Sequence, residues 1–267
     1  MKGISICPLS SGSSGNCILI RTADCTVLVD CGITGKAAET ELLRAGVDPN
    51  SIDAIIVTHE HIDHISGVGV FCRRYSVPIY ATLGTWKVMI NQIGKINPLH
   101  IRYIAAEVPF EINGTKIHPF ATSHDAAESI GLVFSDGKLF GAVATDMGTV
   151  SRHIFDLLCK CSIMLIESNH DETMLIRGPY PPKLKERILS DHGHLSNKLC
   201  GALCSKLVRE GKLRKILLGH LSSDNNTPRL AFDTVSKSIE AAGFSITNDV
   251  ELYVAERHCM GEEITDK

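Results

Sequence analysis

The chain has 267 residues, 44% of them hydrophobic and 21% charged, with a formal net charge of −3. That is enough apolar material for one sizeable core without demanding a second domain, and too little net charge to draw nucleic acid to the whole surface. No stretch approaches the ~20 apolar residues of a membrane-spanning helix, so no membrane partner is expected and a cytoplasmic location is.

Taken in chain order, MKGISICPLSSGSSGN runs into a polar Gly/Ser loop at Ser11–Asn16, ahead of the β-type runs CILIRT, TVLVDCG and DAIIVTH. Helical patterns are expected over Lys36–Ala45, Ile65–Tyr75 and Thr85–Ile93, then strands KIHPF, SIGLVF and LFGAVAT, a helix over Ser151–Leu158 and the strand IMLIES. After these come the loop Arg177–Pro182, a helix over Asn197–Glu210, the strand KILLGH, a helix over Pro228–Ala242 and the strand ELYVAE. Strands with helices between them predict an α/β fold of two sheets sandwiched by helices, one unit over residues 1–267, with at most a hint of internal duplication. The ten cysteines lie scattered in apolar runs and read as reduced core thiols, Cys159 and Cys161 included. Phe71, Tyr75 and Trp86 read as core rather than base-stacking residues.

Charge is uneven. Arg177, Lys183, Lys185, Arg187, Lys198, Lys206, Arg209, Lys212, Arg214 and Lys215 face only Glu186, Asp191 and Glu210 over one segment. Such a run fits a solvated helical face or a phosphate-binding one.

The strongest signal is His59-Glu60-His61-Ile62-Asp63-His64, directly after a β-branched strand. Residues two apart in an extended segment project to one side, so His59 and His61 can bind one metal, with Asp63 and His64 left for a second. Two hydrolytic metals need about six to eight protein ligands, and imidazole with carboxylate suits zinc, manganese or iron. Further candidates at strand ends are His124, Asp146 and His220. No organic cofactor is expected, and the oligomeric state is left open.

The HxHxDH segment followed by a His, an Asp and a final His resembles the metallo-β-lactamase superfamily. The resemblance implies a four-layer αββα sandwich. It implies that one metal takes His59, His61 and His124, the other Asp63, His64 and His220, with Asp146 bridging and Asp30 supporting the histidine loop. An aspartate at 146, where many β-lactamases carry cysteine, favours the other hydrolase branches. Ile62 departs from the small polar residue more usual between the ligands.

The set LSSGSSGN, THEHIDH, TSHDA, TDMG, ESNHD, GHLSN and LGHLSSDNN looks like the YycJ/WalJ-type branch. Members of that branch are regarded as 5′-to-3′ exonucleases on double-stranded DNA. The implied activity is therefore phosphodiester hydrolysis of DNA with two divalent ions, with Asp63 in the centre and His194 as general acid. Ser13, Ser14, Asn16, His194, Ser196 and Asn225 are expected to touch substrate, and the ESNHD cluster to line the cleft. A glyoxalase II-type thioesterase and a small-molecule phosphodiesterase are the alternatives.

Overall fold

The computed structural model describes residues 3–266. Its first half carries β1 (Ile4–Ser10), β2 (Cys17–Arg21), β3 (Thr26–Val29), α1 (Gly35–Arg44), β4 (Ala54–Ile56), α2 (Ile62–Ile65), α3 (Val68–Tyr75), β5 (Ile79–Thr82), α4 (Leu83–Met89) and β6 (Ile101–Ile104). The second carries β7 (Phe110–Ile112), β8 (Thr115–Ala121), β9 (Ile130–Ser135), β10 (Phe140–Ala144), α5 (Arg152–Leu158), β11 (Ile163–Glu167), α6 (Glu172–Arg177), α7 (Pro182–Leu189), α8 (Asn197–Glu210), β12 (Lys215–Gly219), α9 (Pro228–Ala241), β13 (Glu251–Val254) and β14 (Ile264–Asp266).

The strands form two seven-stranded sheets, in the orders β14-β1-β2-β3-β4-β5-β6 and β13-β12-β11-β10-β9-β8-β7. Within each, antiparallel hairpins lead into a parallel set, β3 to β6 in one sheet and β10 to β13 in the other. The sheets lie face to face. Alternate strand residues explain how: Ile18, Ile20, Val27 and Val29 point inward to meet Leu132, Phe134, Leu165 and Leu217 between the sheets. Their neighbours Leu19 and Leu28 face outward under α1, α3 and α4, burying Leu42, Phe71 and Trp86. Ile216 and Leu218 face outward under α5, α8 and α9. Strands covered on both faces need apolar residues throughout, which is why the runs do not alternate with polar ones. The result is the expected four-layer αββα sandwich.

Helices α1, α5, α8 and α9 fall within a residue of their predicted limits. The helix expected over Ile65–Tyr75 is shortened to α3, because the metal-type motif makes its own turn, α2, ahead of it, and the one expected over Thr85–Ile93 begins and ends earlier, as α4. Ile4–Ser10, read as the approach to a polar loop, is a wholly buried strand, irregular where Pro8 lacks an amide to donate. The Arg177–Pro182 loop holds, but it separates two unforeseen short helices, α6 and α7.

Candidate metal centre

Every candidate ligand sits past the carboxyl end of a strand, the histidine motif after β4, His124 after β8, Asp146 after β10 and His220 after β12, and so does Asp30, after β3. Both sheets therefore deliver side chains to one edge of the sandwich. Asp30, Asp146 and His220 adopt left-handed backbone, with φ of 61°, 58° and 55°. That kink breaks each strand at the residue whose side chain must reach the cleft.

Two triads assemble. Nε2 of His59 lies 3.0 Å from Nδ1 of His61, which lies 3.3 Å from Nε2 of His124. In the other, Nε2 of His64 is 3.5 Å from Asp63 Oδ2, and Nε2 of His220 is 3.6 Å from that same oxygen. Asp146 spans both, with Oδ1 3.7 Å from His124 Nε2 and Oδ2 3.6 Å from His64 Nε2. Ligands bonded to one tetrahedral cation at about 2.0–2.2 Å stand about 3.3–3.6 Å apart, close to most of these spacings, while the 3.0 Å between His59 and His61 is also that of a hydrogen bond. Asp146 Oδ2 and His220 Nε2 are buried with no hydrogen-bond partner, which suits the same occupants. Divalent metal ions match this donor set.

Behind the triads stand buried carboxylates. Asp30 accepts from the Thr58 amide and hydroxyl, both at 2.8 Å, and contacts His64 Nδ1 at 2.7 Å. Glu167, fully buried at the end of β11, contacts His194 Nδ1 at 2.7 Å and His220 Nδ1 at 2.8 Å. Its other oxygen accepts from the amides of Met147 and Leu195, each at 3.1 Å. One carboxylate thus orients two imidazoles and anchors the loops carrying Asp146 and His194. The ESNHD run marked a polar cluster here, but nothing local in the sequence shows that Glu167 serves two rings 27 and 53 residues away.

Burial works against charge on Asp146, yet the imidazoles of His220 and His64 hold its carboxyl well below the usual range. Burial would likewise lower His64, but Asp146 and Asp30 push it up to about 9. His59 falls well below its ordinary value because burial and its imidazole neighbours both disfavour a proton. For His194, burial is outweighed by Glu167 and the net direction is up.

The cleft, about 430 Å³, is lined by Ser13, His61, Ile62, Asp63, His124, Asp146, Asn169, His194, His220 and Ser222. Tyr180, Leu184, Arg187 and Ile188 close its other side, from α7 and the loop before it. Ile62 stands 64% exposed at the mouth. Ser13 and Ser14 are exposed on their turn. Asn16, Ser196 and Asn225, expected to touch substrate, are instead buried. Asn16 closes the Gly/Ser turn through Gly12 N at 3.0 Å, Ser196 caps α8 through Leu199 N at 3.2 Å, and Asn225 packs on Ser222. Among the described residues no cysteine joins a metal-type cluster, and all ten are free thiols. Phe71 and Trp86 are core residues, and Tyr75 packs half-buried beside them.

Comparison with known proteins agrees with this fold. Residues 11–147 match the metallo-beta-lactamase superfamily. The exodeoxyribonuclease YycJ of Bacillus anthracis is 37% identical over 252 residues, covering 94% of this chain and 95% of that protein. The exodeoxyribonuclease WalJ of Streptococcus pneumoniae is 39% identical over 254 residues, covering 92% and 91%. Among solved structures, the metallo-beta-lactamase fold protein YhfI of Bacillus subtilis superposes with a TM-score of 0.70 at 16% identity, over 99% of this chain and 100% of that one. At that identity the likeness is one of fold.

Proposed function

Because the chain belongs to the metallo-beta-lactamase superfamily and, over nearly its whole length, to the family of the YycJ and WalJ exodeoxyribonucleases, we propose that it is a metal-dependent exonuclease that digests double-stranded DNA from its 5′ ends. The observation that carries the substrate is that whole-length likeness, since the centre alone would serve any phosphodiester. His59, His61 and His124 would hold one ion and Asp63, His64 and His220 the other, with Asp146 shared; zinc, manganese and iron all suit these donors. Bound there, divalent ions polarise phosphoryl oxygens and make water acidic enough to attack near neutral pH.

The chain's own residues do the rest. Asp30 holds Nδ1 of His64, which turns Nε2 toward the centre, 3.1 Å from Asn16 Nδ2. Glu167 does the same for His220 and for His194. His194 then presents its remaining ring nitrogen to the cleft it lines, placed to donate a proton to the departing sugar oxygen. Free thiols throughout support work in a reducing compartment, the cytoplasm.

The test is incubation with manganese or zinc on linear duplex DNA labelled separately at each 5′ and 3′ end, beside a thioester and a chromogenic phosphodiester. Early loss of the 5′ label is the expected result. Intact DNA with thioester turnover would overturn the substrate, and early loss of the 3′ label the polarity.

A further inference from the structure

One end of the cleft carries more polar equipment than the metal centre uses. Ser13 and Ser222 line it, from the turn after β1 and the loop after β12, and a bridge between Gly12 and Leu221 ties the two loops together. The segment after β13 lies across that bridge. A Cβ on Gly12 would meet Cγ of Arg257 at 3.0 Å and the Leu221 carbonyl at 3.2 Å, so the arginine stem packs directly on this glycine and a side chain there would push it aside.

The backbone around Arg257 is pinned, since Ser10 Oγ donates to its carbonyl at 2.7 Å. The guanidinium donates through Nη2 to the Ser222 carbonyl at 3.0 Å, and its Nε is buried without an acceptor. No carboxylate forms an ion pair with it among the described residues. Asp224, near enough to feel its charge, already accepts from Tyr180 at 2.7 Å and Ser223 at 2.9 Å. Alongside, His258 Nδ1 lies 3.5 Å from the Ser14 hydroxyl. The amides of Ser13 and Ser14 meet no protein acceptor among the described residues.

Beside that end of the cleft, Arg257, His258, the serine hydroxyls and the turn amides thus stand next to one another, and guanidinium, hydroxyl and amide donors together are the chemistry that binds anions. Ser222 follows His220 by two residues, so chain reach keeps their backbones within about 7 Å. Resting on the DNA reading above, we propose that Ser13, Ser14, Arg257 and His258 form a subsite for the terminal 5′-phosphomonoester of a DNA strand, one nucleotide from the bond that is cut. A terminal phosphate carries about −1.5 to −2 charge and three acceptor oxygens, more than an internal diester offers. Arginine's planar fork suits that group. The subsite makes the end of a strand, rather than its interior, the preferred substrate.

The experiment compares digestion of duplexes identical except for a 5′-phosphate or 5′-hydroxyl, by wild type, Arg257→Gln, Arg257→Lys and His258→Ala. A second arm measures binding of the phosphorylated and unphosphorylated dinucleotides to metal-stripped protein. Wild type should prefer the phosphorylated duplex by about ten-fold or more, as one charge-assisted hydrogen bond implies. That ratio should collapse toward one in Arg257→Gln and lie between in Arg257→Lys and His258→Ala, which carry the test if the glutamine variant does not fold. Equal wild-type rates, or a ratio unchanged in the variants, would overturn the subsite while leaving the exonuclease standing. Should wild type leave all DNA intact, the exonuclease reading fails and the binding arm decides: phosphate-dependent retention weakened in Arg257→Gln supports the subsite, and equal retention overturns it.

Discussion

Glu167 and His194 give the sharpest tests at the scale of single residues. If His194 protonates the leaving oxygen, His194→Ala should keep its metal content and slow DNA cleavage by about 10²–10⁴-fold. The deficit should shrink on a p-nitrophenyl diester, whose leaving group needs no proton; an equal deficit on both substrates would refute the acid role. Glu167→Gln, which loosens two imidazoles at once, should cost about 10–100-fold in activity or metal affinity. It also has a pH signature in metal-stripped protein. Burial raises the Glu167 carboxyl, but His194 and His220 outweigh it and hold it at about 2 against an ordinary 4.5. A carboxylate held low contributes stability that is whole above its unfolded value and drains away as pH falls through the folded one. Wild type should therefore lose more melting temperature than Glu167→Gln between pH 4.5 and 2. Parallel melting curves would refute this coupling.

Among the elements, α7 is the least secured. None of its residues is buried, and it is held by the Arg187–Asp125 ion pair, by the His194 amide donating to the Ile188 carbonyl at 3.1 Å, by Lys185 Nζ donating to the carbonyls of Ile176 and Gly178 at 2.7 Å, and by Tyr180 just before it. Since Leu184, Arg187 and Ile188 wall the cleft, Arg187→Ala should speed hydrogen exchange in residues 178–192 while lowering global stability by less than about 1 kcal/mol. Unchanged exchange would show that the pair does not hold the helix. The same weakness made α7 hard to foresee: Gly178, Pro179, Pro181 and Pro182 punctuate the chain, and the apolar stripe that follows, Leu184 and Ile188, spans a single turn. By contrast α8 was plain in the sequence, because Leu203, Cys204, Leu207 and Val208 recur on one face. The candidate ligands were legible for a similar reason, each following an apolar run that reads as a strand. Asn16, Ser196 and Asn225 lie buried, and sequence alone does not separate turn-bracing from substrate-binding because both draw on the same polar side chains. β1 escaped notice because Pro8 and the serines beside it read as loop.

Across the whole molecule, two sheets of matching order bring their strand ends to one edge, so the centre depends on how the halves pack through Ile20, Val29, Leu132 and Leu217. The net charge of −3 predicts that DNA is held by local cations, not by overall attraction. Affinity for duplex should fall log-linearly as salt rises, while turnover of a small chromogenic diester changes little; a salt-independent affinity would exclude phosphate contacts. The left-handed turns at Asp30, Asp146 and His220 reach further still. Each non-glycine residue so placed costs about 1 kcal/mol, and the carboxylates and imidazoles they gather are mostly buried. Bound ions offset these terms in the native state only, so chelation should lower the melting temperature by several degrees and restored zinc or manganese recover it. In a living cell, an ion-starved copy would unfold more often and meet proteases sooner. Abundance of the enzyme would then follow the metal supply, with no regulator needed to read it.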